Sequence, residues 1–406
     1  LCNDGDMSVG KITLDTCGIM NYKNGILNID GTTVENAGTY SLGNNGGKVV
    51  AKKFTAKKGN SCAIYNFAGD MELIDVTTQG IREANITNGG GNMTVKGADL
   101  QKCNDKSIVV GNGVAVFEDI KIGGTKREKY GCYVYGGELY INNAEMKEID
   151  STAFKVDMGG IIEVKNATVK GVGDIGMRSD GGKMTLENVS IEDIKSHGIY
   201  NMNGEINVKN VTLKNIGKNA IQNRGGNTNA DGLYAENIAN HAAYVAIGNV
   251  KVSNSTFKTM EGNGFYLVEG ENEATLKNVT IENVKKQGVN NNSKLTIDGL
   301  KVRNGQQNGI FNKDKGVVKA KNVDISGVAE HGINNYNTMT LENSKISNTG
   351  KGSNNLQNKG TLTIKDVDCS NSKNHGVYNT GTIKGSELEV KKAAKNGVYN
   401  NKGTFT

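Results

Sequence analysis

Apolar residues along this chain fall at every second position, in runs of three to five residues set between turns rich in glycine and asparagine. The pairs Ile162/Val164, Met184/Leu186, Ile206/Val208, Leu295/Ile297, Met339/Leu341 and Leu362/Ile364 recur in one local context. A period of two is the signature of a β-strand with one buried face, and no segment sustains the i, i+3, i+4 spacing of a helix. The strands are grouped. Each group reads as Gly, an aliphatic residue, Tyr, Phe or Asn, then Asn, a turn, an apolar-x-apolar strand, a short Asn or Asp corner and a second such strand.

The asparagine that closes the first strand fixes the register. It appears at Asn201, Asn223, Asn291, Asn312, Asn335, Asn358, Asn379 and Asn400, the last six separated by 21, 23, 23, 21 and 21 residues. In that register the 406 residues divide into about 18 units of roughly 20–27 residues, with no linker. One unit cannot bury its own apolar side, whereas stacked units bury a continuous core and pair their strands in parallel. The expected fold is all-β, a right-handed parallel β-helix (solenoid) of about 18 turns running as a single continuous domain over 1–406. At ~4.8 Å per stacked strand it makes a rod of roughly 85 Å. Alternation turns Val377 inward, Tyr378 outward and Asn379 inward. The eight asparagines therefore form an expected structural ladder, each amide bonding to the turn above and below. The ends fall in mid-pattern, so the chain is expected to be an excised part of a longer one.

This strand–Gly–strand–Asn-corner grammar resembles the right-handed parallel β-helix of the pectin-lyase-like superfamily. Its repetitiveness is most similar to passenger domains of autotransporter adhesins and to repetitive bacterial surface proteins. The resemblance covers residues 1–406 and implies an architecture, hosted equally by lyases, glycosidases, adhesins and stalks.

Enzymes of this resemblance cluster Asp with Lys or Arg on one outer face, or pair Asp with Gly-His-Gly. Here no two Asp are adjacent and Gly-His-Gly is absent, while Asp366 and Asp368 occupy corner slots that Asn322 and Asp324 fill elsewhere. His197, His331 and His375 share one slot before Gly that other units fill with Asn or Gln, and His241 reads as a loop residue. A general base is a singular residue, so these are read as repeat positions. The six Cys lack C-x-x-C spacing, which argues against zinc and thiol redox chemistry. Cys369 is placed in the core, and Cys103 and Cys132, about one turn apart, are near enough to pair. Gly171-Val172-Gly173-Asp174-Ile175-Gly176 matches a dinucleotide fingerprint without a following helix. Five of the eight N-x-[ST] sequons, at Asn166, Asn188, Asn210, Asn254 and Asn278, are products of one repeated corner. A bacterial source is expected.

The remaining candidates are on the surface. Rhythm breaks at Gly123–Arg127 and Arg224–Asn229 are read as loops, giving Lys126, Arg127, Arg224, Tyr133 and Tyr135 as candidate ligand contacts. Composition supports a copied unit: 55 Gly, no Pro and no Trp. A formal net charge of +6, with interspersed signs, gives no basic stripe for nucleic acid. No apolar run is long enough to span a membrane as a helix. The leading expectation is a non-enzymatic extracellular surface protein, an adhesin or rigid spacer for a carbohydrate or cell-surface protein ligand, with no catalytic, metal or cofactor residues. The alternative is a polysaccharide lyase or glycoside hydrolase acting on an acidic polysaccharide. A groove on one face lined by clustered Asp with Lys or Arg would revive that alternative.

Overall fold

The structure is a computed structural model that describes residues 1–124 and 130–406. The chain is an all-β parallel solenoid of about 18 turns, and the described residues contain no helix. Contacts divide it into two compact units, one of residues Leu1–Ser196 with Gly204–Ile206, the other of His197–Asn203 with Asn207–Thr406.

In the first unit, the opening strand of each turn pairs with its equivalent in the next. The register runs Ile19–Leu42–Ile64–Ile86–Ile108–Cys132–Phe154–Met177. Every side chain in this column is at most 2% exposed. Each buried aliphatic group contributes ~1.5–3 kcal/mol, so the column is one spine of the core. Two residues further along lies the inward asparagine column. Asn3 donates to Asn21 Oδ1 at 2.8 Å, and Asn21, Asn44 and Asn66 each donate at 3.0 Å to the next. The column then changes character: Asn88 is succeeded by Val110, Val134, Val156 and Ser179.

In the second unit, the equivalent column is Ile221–Ala243–Phe265–Val289–Ile310–Ile333–Leu356–Val377. Two residues further along, Asn223 is followed by Val245 and Leu267, and from Asn291 onward the asparagines form an unbroken run. Asn291 donates to Asn312 at 2.9 Å, and Asn312, Asn335, Asn358 and Asn379 each donate to the next at 2.8 Å. Asn201 also donates to Asn227 O and Thr228 Oγ1, and Asn223 donates to Ile247 O. The repeat glycines let turns approach closely: a Cβ on Gly288 would sit 2.5 Å from the carbonyl oxygen of Gly309.

The sequon corner has a backbone cause. Asn166, Asn188, Asn210, Asn254 and Asn278 all adopt positive φ, between 49° and 56°. Asn tolerates this left-handed region better than other non-glycine residues. The repeat therefore supplies the motif's first residue for conformational reasons.

Three expectations change. Arg224–Asn229 is no loop, since Ile221–Asp231 is one strand whose register shifts at Asn223/Arg224 and Arg224/Asn227 absorb the extra residues as bulges. His241 is not a loop side chain but is 7% exposed, in the column that contains Asn219 and Asn263. Cys103 and Cys132 do not pair, and all six cysteines are free thiols. Cys103 Sγ lies 3.1 Å from Lys106 O, and Cys132 packs in the core.

Candidate active site and aromatic face of the first unit

Where Val110, Val134, Val156 and Ser179 replace the ladder, the outward side of the same strands becomes charged and aromatic. Strand Cys132–Val134 presents Tyr133, strand Phe154–Asp157 presents Lys155 and Asp157, and strand Met177–Asp180 presents Arg178 and Asp180. Residues two apart share a face, and parallel register stacks Tyr133 on Lys155, Lys155 on Arg178, and Asp157 on Asp180. Three consecutive turns thus gather two cations, two carboxylates and a phenol.

Their geometry is closely coupled. The Tyr133 hydroxyl donates to Asp157 Oδ2 at 2.5 Å. Lys155 Nζ lies 3.1 Å from Asp157 Oδ1 and 3.5 Å from Asp180 Oδ2. Arg178 Nε donates to both Asp180 oxygens at 2.9 Å. Lys155 also lies over the rings of Tyr130 and Tyr133, 5.2 and 5.1 Å from their centroids. Only 13% of its side chain is exposed, so its charge is held by these neighbours rather than by water. Burial, together with the hydrogen bond to Asp157 and its negative charge, holds the Tyr133 phenol well above its ordinary range and keeps it protonated.

Aromatic rings extend this face. Tyr133 stacks at 5.6 Å on Tyr135, which is 46% exposed. Tyr65 and Phe67 stand 4.0 Å apart, with Tyr40 at 5.1 Å from each. Between these groups the turns carry glycines. A Cβ on Gly89 would lie 2.8 Å from the Tyr65 hydroxyl, and one on Gly111 would lie 2.3 Å from that of Tyr135. The two phenols close over a floor that admits no side chain. Tyr135 thus leaves apolar ring surface open to solvent beside its hydroxyl.

Of the residues singled out from sequence, Tyr133 and Tyr135 belong to this face. Arg224 is exposed on the bulged strand of the second unit, and Lys126 and Arg127 lie outside the described residues. Sequence reasoning missed Tyr130, Lys155, Asp157, Arg178 and Asp180. The available signal was Lys155-Val156-Asp157 and Arg178-Ser179-Asp180 in identical slots, each with its central asparagine replaced.

The histidines are structural in geometry. The backbone N–H of Asn263 donates to His241 Nδ1 at 2.8 Å, and that of Asn354 to His331 Nδ1 at 2.9 Å. The equivalent bonds to His197 and His375 are 3.4 and 3.3 Å long. Accepting at Nδ1 places the imidazole proton on Nε2 in the neutral ring. Burial lowers the pKa of His241 to about 4, the nearby Lys286 charge adding to the effect. No cluster of three or more His, Cys, Asp or Glu fit to hold a metal occurs among the described residues. No helix among them is long and apolar enough to cross a membrane.

Residues 156–296 match the family described as right handed beta helix region. No curated protein matches the chain. Among solved structures, it is similar to an alpha-1,3-glucanase catalytic domain in complex with tetrasaccharides, at 15% identity and TM-score 0.41, covering 74% of this chain and 63% of that one. It therefore spans less than two thirds of that glucanase domain. The A-module of a mannuronan C-5 epimerase from Azotobacter vinelandii is 13% identical over 74% of this chain and 90% of its own, with TM-score 0.40. A PL6 family alginate lyase is 8% identical over 100% of this chain and 98% of its own, with TM-score 0.30.

Proposed function

We propose that this chain binds an acidic polysaccharide on the first-strand face of its first unit and cleaves it by lyase-type elimination. The observation that carries the reading is the convergence of Tyr133, Lys155, Asp157, Arg178 and Asp180 on three consecutive turns, where the repeat abandons its asparagine ladder. A uronate carboxylate placed against Lys155 and Arg178 has its charge neutralised, which acidifies the adjacent C–H. Asp157 is placed to take that proton. The electron pair forms the new carbon–carbon double bond as the glycosidic C–O bond breaks. Tyr133, kept protonated, gives its proton to the departing oxygen. Tyr135 and Tyr65 supply ring faces for neighbouring sugars.

The test is incubation with polygalacturonate and with alginate, reading ultraviolet absorbance of unsaturated ends and, separately, reducing ends. Unsaturated product that disappears in Tyr133→Phe and Lys155→Gln supports the proposal. Reducing ends without unsaturation would replace elimination by hydrolysis. No product, or product undiminished in both variants, overturns the enzyme.

A second reading, a binding-only adhesin or spacer, draws on one observation: the four charges of the cluster already pair with one another. Retention on the polysaccharide without turnover is its expected result.

A further inference from the structure

The second unit has a cation-bearing aromatic face of its own. Along its first-strand column, Tyr244, Tyr266, Asn290, Phe311, Asn334 and Gln357 occupy successive outward positions. The Tyr244 and Tyr266 rings meet edge to face at 5.4 Å, as do Phe311 and Tyr336. Lys313 joins the two pairs, its ammonium 5.6 Å from the Tyr266 centroid and 5.8 Å from that of Phe311. Lys359 lies 4.3 Å over Tyr336 and donates to its hydroxyl at 2.6 Å. The turns with Asn at the ring position are thus covered by Lys313 and Tyr336 from the adjacent outward positions. The stripe is continuous over five steps, about 24 Å at ~4.8 Å per step.

Its lysines are not neutralised by the nearby acids: Glu269 accepts from Asn292, and Asp314 follows Lys313 in the turn without pairing with it. Lys286 lies close enough to His241, and Lys359 to His331, to disfavour their protonation. Among the described residues, Lys286, Lys313 and Lys359 have no carboxylate within ion-pairing distance. On the loops entering this face, Glu261 pairs with Lys285 and Glu330 accepts from Asn308. Ammonium groups held over rings cost little entropy to present, and their unpaired charge calls for anions at intervals of a few ångströms.

We propose that this stripe is a second, non-catalytic binding surface for a linear acidic polysaccharide. Such a polymer offers, at every residue, a C–H face for a ring and a carboxylate or sulfate for a lysine. The proposal rests on the function proposed above only for the class of polymer; its residues lie in the other unit. A long chain bound here at several points is retained more strongly than a short one.

The experiment uses the full chain and the triple variant Lys286→Gln/Lys313→Gln/Lys359→Gln, with Tyr266→Ala/Tyr336→Ala as a second variant. Binding to long alginate is read by affinity electrophoresis across a salt series, alongside neutral dextran and duplex DNA. Turnover of alginate oligosaccharides is read in parallel. The expected result is a loss of roughly tenfold or more in alginate affinity in both variants, with a flatter salt dependence in the lysine variant and unchanged oligosaccharide turnover. Unchanged alginate affinity in both variants, equal retention by dextran, or tighter retention by DNA would overturn it. Lys155→Gln serves as the separating control, because it tests the catalytic reading and leaves this stripe intact.

Discussion

The turns around Val134 and Val156 in the first unit and those around Asn312 and Asn335 in the second solve the same stacking problem in opposite ways. In the second, the inward bend is polar and every amide has a fixed partner: Asn335 donates to Asn358 Oδ1, Asn337 O and Thr361 O, and accepts from Asn312. In the first, the bend is apolar and the polar groups stand outside, as Lys155, Asp157, Arg178 and Asp180. Within a run, each ladder asparagine is tied to the one before and the one after it, which constrains them together. Once a run of turns uses valine there, that constraint lapses, and the outward positions vary without disturbing a hydrogen-bonded column. The difference locates where the solenoid is free to specialise.

Both regions share the aliphatic core. Leu362→Asp should have the largest effect, removing burial worth ~1.5–3 kcal/mol and leaving a charge without a partner at a site that is 0% exposed. Urea unfolding should show the second unit melting far earlier than in wild type; an unchanged midpoint would refute the inward assignment.

The ladder itself comes next. Asn335→Leu should cost more than Asn337→Leu, which alters a turn, because it leaves Asn358 Oδ1 without its donor and removes one acceptor of Asn312, at ~1–3 kcal/mol for a buried group left unsatisfied. The reciprocal change Val134→Asn should also destabilise, since Val110 and Val156 offer its amide nothing. Similar midpoints for Asn335→Leu and Asn337→Leu would mean that the two stacking modes are equivalent.

Acid should have an effect of intermediate size. His241 has its pKa lowered from 6.5 to about 4, chiefly by burial. The unfolded chain takes up a proton below pH 6.5 that the folded chain refuses. Stability from this site is therefore complete above pH 6.5 and declines as pH falls towards 4, by on the order of 2–3 kcal/mol. His331 and His375 shift in the same direction by burial. Denaturation monitored from pH 7 to 4 should show a steeper loss in wild type than in His241→Asn. Equal slopes would count against the Nδ1-accepting neutral ring.

The smallest expected change in stability belongs to the charged cluster. Lys155→Gln should lower stability less than the core and ladder changes, because Gln retains an amide donor for Asp157 and Asp180. Loss of turnover in that variant then reports chemistry rather than unfolding, and a large shift would assign the cluster to structure.

The fold was legible because it is written redundantly. Alternation at Leu295/Ile297 and Met339/Leu341 repeats in turn after turn, and the spacing of Asn291 to Asn400 fixes the register without any long-range contact. The cluster was less legible because its members lie 22–25 residues apart and meet only through stacking. Searching for neighbouring Asp along the chain could not bring Asp157 to Asp180, whereas comparing slots across turns does. Tyr133 and Tyr135 stood out as aromatics, but nothing local marks Tyr133 as the partner of a carboxylate in the following turn. His241 misled because Ala242 follows it where the other three histidines precede Gly. Arg224–Asn229 misled because a bulged strand and a loop share the same glycines.

The spacing of the asparagine column has a consequence for how such a chain changes length. Asn312 bonds to Asn335 across 23 residues and Asn335 to Asn358 across another 23. Removing one such interval brings Asn312 against Asn358 with strand, corner and core positions all in phase. Removing a single residue from strand Thr361–Asp368 would instead turn Leu362 and Ile364 to solvent. Insertions and deletions in this protein are therefore quantised. Whole turns can be gained or lost with the interior intact, while small indels survive only at corners and bulges.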